Sequence, residues 1–125
     1  MIPVLIVQGV REEWGSIRRE LQLHKLLLGM DYALFDREDD AEEYIHPKFY
    51  ADQLLCLGET ERRKKKGDDF SLAIAKKFPG IKIVSLFVPV PPGPSPYSMY
   101  VRRGAPSNIC DLLVHTMMEF LVRTI

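Results

Sequence analysis

Three apolar runs set the tightest limit on how this chain can fold: "IPVLIVQ" (Ile2–Gln8), "DQLLCLG" (Asp52–Gly58) and "IKIVSLFVPV" (Ile81–Val90). Their length and their β-branched and aliphatic content read as strands. None alternates polar with apolar residues, so neither face is reserved for water. A strand buried on both faces belongs to a parallel sheet covered by helices. Parallel neighbours also need a crossover of a dozen or more residues between them.

The intervals between the runs supply those crossovers. Arg11 to Leu28 carries Trp14, Ile17, Leu21, His24 and Leu28 at steps of three and four, which predicts an amphipathic helix stopped by Gly29. "DYALF" (Asp31–Phe35) is a further strand, and "DREDDAEEYI" (Asp36–Ile45) a short acidic helix closed by Pro47. The charged stretch "ETERRKKKG" reads as a loop. Asp68 to Phe78 follows as a helix, with Asp68 as its cap, Phe70, Ala73 and Ile74 inward, and Pro79-Gly80 at its end. "SMYVRR" (Ser98–Arg103) is a short fifth strand, and Pro106–Ile125 a last helix with Ile109, Leu112, Leu113, Met117, Phe120 and Leu121 on its apolar face. The expected fold is an α/β/α sandwich formed by one domain over residues 1–125, with five parallel strands.

Composition narrows the function. Basic and acidic residues balance at 17 each, which argues against a general nucleic-acid or anionic-membrane binder. The hydrophobic fraction of 46% supports a core without disulfide staples. Cys56 and Cys110 sit inside apolar runs, where a thiol acts as a small hydrophobe. The start "MIPVLIVQG" has no basic region before its apolar run, and no apolar run reaches the roughly 20 residues that span a bilayer. The expectation is a cytoplasmic domain.

The spacing of "PVLIVQG", "ADQLLCLG", "GDDFSLAIAKKFPGIKIVSLF" and "YVRRGAP" resembles the receiver domain of bacterial response regulators over nearly the whole chain. That resemblance implies a flavodoxin-like sheet of order 2-1-3-4-5. It also implies where the family's phosphorylation machinery would fall. The acidic pair that holds Mg²⁺ falls on Gln8 and Gly9, which offer no carboxylate. The phosphoacceptor falls on Leu57. The switch hydroxyl falls on Phe87, with Ser85 or Val88 one slip away. The lysine falls on Arg103, or on Arg102, and an arginine lacks the compact ammonium. Where the family has a fourth helix, this chain has "VPVPPGPSPYS", whose prolines at 89, 91, 92, 94 and 96 block an α-helix.

The implied function is a phosphorylation-independent regulatory module that is not an enzyme, needs no cofactor or metal, and works by contact with another protein or a second copy of itself. Two stretches are candidate partner surfaces: the basic run Arg62, Arg63, Lys64, Lys65 and Lys66, and the tyrosines Tyr97 and Tyr100 beside the proline-rich segment. A solvated loop is the plainer reading of the basic run, since Glu59, Glu61, Asp68 and Asp69 flank it. The alternative is a small-ligand-binding protein or enzyme on the same scaffold, with Gln8, Glu59, Thr60, Ser85 and Arg103 at the carboxyl ends of the strands. Against it, there is no G-x-G-x-x-G or Walker pattern and no legible nucleophile–base pair. "DREDDAEE" lacks the glycine turn and distal glutamate of a calcium loop and reads as an exposed acidic first turn. His24, His46 and His115 lie on separate elements without zinc-site spacing, and His24 is expected to be partly buried on the first helix.

Overall fold

The computed structural model describes residues 1–86 and 109–124, and within the last helix the side chains of 113–122. In chain order the elements are β1 (Val4–Val7), α1 (Trp14–Leu23), β2 (Tyr32–Phe35), α2 (Glu38–Glu42), β3 (Leu54–Leu57), α3 (Glu61–Lys66), α4 (Asp69–Lys77), β4 (Lys82–Ser85) and α5 (Ile109–Thr124). The four strands form one parallel sheet in the order β2-β1-β3-β4. The expected fifth strand and the proline-rich segment lie outside the described residues, as do Phe87, Tyr97, Tyr100 and Arg103.

All four residues of β1 and of β3 are buried, as their unbroken apolar runs require. Successive side chains point to opposite faces. Val4, Ile6, Leu54 and Cys56 therefore pack with Ile17 and Leu21 of α1 and with Leu113, Met117 and Phe120 of α5. Leu5, Val7, Leu55 and Leu57 pack on the other face with Ala41 of α2 and with Phe70 and Ile74 of α4. The result is a helix layer on each side of the sheet.

Helix α1 ends earlier than its apolar spacing predicts. Lys25 adopts a left-handed φ of 62°. Its N–H donates to the Gln22 carbonyl, and the Leu26 N–H reaches back to Leu21, which is a Schellman closure. Leu26 then turns inward while His24 and Leu28 are exposed. The stop precedes Gly29 because Leu26 has a place in the core and Leu28 does not. Ala73 is likewise exposed on α4, where Phe70, Ser71 and Ile74 face in.

The stretch expected to be a charged loop is instead helix α3. Thr60 caps it, its Oγ1 accepting the Arg63 N–H at 3.1 Å. Arg and Lys are good helix formers, Glu61 sits in the first turn, the basic residues lie toward the end, and Gly67 closes it at φ 65°. Asp68 stands at the cap position of α4, but its carboxylate makes no cap hydrogen bond.

Candidate functional site

Parallel strands of this kind present their functional loops at the carboxyl edge of the sheet. Register places Val7, Phe35, Leu57 and Ser85 side by side at that edge. Three positions singled out in the sequence lie there, Leu57, Gln8 and Gly9, and each has a physical reason for its residue.

Leu57 is 1% exposed and belongs to the core cluster on the α2–α4 face. Gln8 is fully buried and works as a local brace. Its backbone N–H donates to Phe35 O, its Oε1 accepts the Val10 N–H at 3.1 Å, and its backbone carbonyl accepts the Trp14 indole N–H at 2.8 Å. Gly9 donates its N–H to the Glu59 carbonyl at 2.8 Å. A Cβ at position 9 would sit 2.8 Å from that same oxygen and 3.1 Å from the Thr60 Cα. Gly58 is equally constrained, since a Cβ there would lie 2.8 Å from the Val7 carbonyl oxygen. The loops after β1 and β3 are thus in direct backbone contact, and position 9 admits no side chain without moving one of them.

The end of β3 is occupied by Arg63, whose guanidinium is buried. Its Nη1 donates to the carbonyls of Leu57 at 2.7 Å and Gly58 at 3.1 Å. Its Nη2 donates to Ser85 Oγ at 3.0 Å and to Asp68 Oδ1 at 2.8 Å, and its Nε reaches the same carboxylate oxygen at 3.0 Å. The pair is 4% and 12% exposed at its side chains. A planar fork of donors suits this convergence of carbonyl, hydroxyl and carboxylate oxygens, and a lysine would not reach them all.

The basic run therefore divides. Arg63 points in. Lys64, Lys65 and Lys66 are exposed. Arg62 lies between, 3.3 Å from Asp39 and from Asp69, with its guanidinium over the Phe70 ring. Lys64 pairs with Glu59 at 2.9 Å, which raises its pKa.

Beside this edge, on the α2 side, lies a cleft of about 480 Å³ between the loops that follow β1, β2 and β3. Gly9, Glu38, Asp39, Glu59, Thr60 and Arg62 are on its wall. Asp36 also lines it and is held by Arg11 at 2.9 Å, a hydrogen bond that lowers the carboxyl pKa. The acidic first turn of α2 is solvated at Asp39 and Asp40, as its sequence implies, but Glu38 is turned inward and buried. The structure brings Leu57 and Ser85 together around Arg63, sets Gln8 beside Gly58, and places Glu59 with Thr60 at the cleft. Sequence reasoning missed Arg63 as a buried anchor and Glu38 as a buried acid.

Cys56 is fully buried, and burial pushes its thiol pKa far up, so it is held as a neutral core group. Among the described residues, no group of three or more His, Cys, Asp or Glu is placed to hold a metal. No helix among them is long and apolar enough to cross a membrane. The chain is an α/β protein with a parallel sheet. Compared with protein-family models, curated proteins and solved structures, it has no match.

Proposed function

We propose that this chain is a receiver-like regulatory module that acts without a phosphoryl switch, by docking onto another protein. One observation carries the reading: the place where a receiver holds its phosphoacceptor has Leu57 in the core, with the Arg63 guanidinium seated on the carbonyls of Leu57 and Gly58. An acyl phosphate needs a carboxylate there, a cation site beside it and room for three oxygens. Gln8 supplies a neutral amide whose oxygen already accepts the Val10 N–H, and Gly9 has no space for an acid. The sheet order β2-β1-β3-β4 is compatible with the 2-1-3-4-5 order of the receiver fold. The exposed lysines 64–66 offer a contact surface for an acidic partner.

The test is an amide NMR titration with Mg²⁺ and beryllofluoride, an aspartyl-phosphate mimic. No shift is expected at Gln8, Leu57 or Arg63. Saturable shifts clustered on those residues would overturn the reading. A second reading, small-ligand binding at the same edge of the sheet, is favoured by the 480 Å³ cleft.

A further inference from the structure

We propose that the cleft is a binding site for an organic cation with N–H donors, a primary ammonium or a guanidinium, received by Glu38. The proposal names the ligand class of the cleft and does not depend on the loss of the phosphoryl switch.

The starting point is a buried acid with one carboxylate oxygen left without a hydrogen bond. Glu38 is 4% exposed, lines the cleft, and its Oε1 is enclosed with no hydrogen-bond partner. A carboxylate taken out of water is costly unless a donor meets it. Its position in the first turn of α2 does not explain the burial. The helix dipole favours an acid there whether or not it is exposed, and the next residue, Asp39, keeps a side chain 83% exposed.

The cations nearby do not satisfy it. Arg62 feels the Glu38 charge, but its hydrogen bonds go to Asp39 and Asp69 and its face lies on Phe70. Lys64 goes to Glu59 and Glu61. The cleft lining holds five carboxylates, Asp36, Glu38, Asp39, Glu59 and Glu61, against three cations, Arg37, Arg62 and Lys64. Arg11, outside the lining, pairs with Asp36, so the excess is one negative charge, which favours a cation over an anion.

A divalent metal fits poorly, because no three of these acids converge among the described residues. An ammonium or guanidinium needs only one buried carboxylate and polar walls, and brings its own directed donors. The carbon stem behind the charge would rest against Gly9 and Val10, which also line the cleft.

Two sources carry this chemistry: a free amine, or a lysine or arginine side chain of a partner. The experiment is an amide NMR titration of the whole chain with putrescine, N-acetyl-lysine amide and N-acetyl-arginine amide, repeated on Glu38→Gln. The expected result is saturable shifts at Gly9, Glu38 and Thr60 that weaken about tenfold or more in Glu38→Gln, as for loss of a hydrogen bond to a charged group. Response to putrescine alone assigns a free amine; response to the amides assigns a side chain of a partner. Absence of shifts with all three probes overturns the proposal, and so do equal affinities in the native chain and Glu38→Gln. Glu38→Gln keeps the shape and removes a buried charge, so its unfolding midpoint is expected to match or exceed the native one. A fall in that midpoint with no change in cation binding means that Glu38 is structural, and overturns the assignment.

Discussion

Replacing Arg63 by methionine tests whether the end of β3 is held by an internal ion pair. The change removes both donations to Asp68, the one to Ser85 and those to the Leu57 and Gly58 carbonyls. The Leu57 carbonyl still accepts from the Leu86 N–H. Asp68 is left as a 12%-exposed carboxylate without its cation. Removing one member of a buried pair costs about 3–5 kcal/mol, a large part of the ~5–15 kcal/mol by which a domain is stable. Asp68→Leu should cost a comparable amount, since it leaves the guanidinium inside without its carboxylate partner. The double variant Arg63→Met/Asp68→Leu removes both charges and should cost well under the sum, leaving a coupling of roughly 2–3 kcal/mol. Urea unfolding followed by fluorescence of Trp14, the only tryptophan, measures all four proteins. Costs that add to within about 0.5 kcal/mol, or an Arg63→Met cost under about 1 kcal/mol, would show a surface-type pair and refute the reasoning.

Other perturbations probe the frame around the site. Leu57→Asp places a charge in the α2–α4 core; it should cost at least about 3 kcal/mol and give no phosphorylation from acetyl phosphate, and a variant that is labelled would refute the loss of the phosphoryl switch. Thr60→Ala removes the cap of α3 and should cost about 1 kcal/mol in the same unfolding assay. Lys25→Gly relieves the left-handed residue after α1 and should stabilise by about 0.5–1 kcal/mol, with no gain if the Schellman closure is absent. Burial raises the Tyr32 pKa. The folded chain thus holds a proton that the unfolded chain releases near about pH 10, so this contribution is intact below that pH and lost above it. Tyr32→Phe should flatten the fall in stability between about pH 9 and 11, and an unchanged slope would reject that assignment.

Much of the frame was legible because it depends on burial alone. The runs around Val4–Val7 and Leu54–Leu57 had no polar residue to spare for water, and they became the two central strands. The spacing of Ile17 and Leu21 fixed the inner face of α1. Its end was not legible, because the stop rests on Lys25 taking a conformation that lysine seldom adopts. Helix α3 was hidden for a different reason: "ERRKKK" has no apolar period. The cues were its ends, Thr60 as a cap, Glu61 in the first turn and Gly67 as a stop, and these mark a helix even where no stripe does.

The two residues that define the site were concealed by their neighbours. Arg63 sits among five consecutive basic residues and Glu38 among six carboxylates in eight, so composition assigns both to solvent. What separates each from its neighbours is direction. The Thr60 cap fixes the phase of α3, and that phase turns position 63 toward the carbonyls of Leu57 and Gly58 while 64–66 face water. The turn after β2 likewise sends 38 inward and 39 outward. A charge run is therefore a solvated face only on average, and a single member can be buried wherever the edge of a sheet leaves oxygen atoms to be met. At Arg63 they are met from within the chain. At Glu38 one carboxylate oxygen has no such partner, and the two charges differ in that one respect.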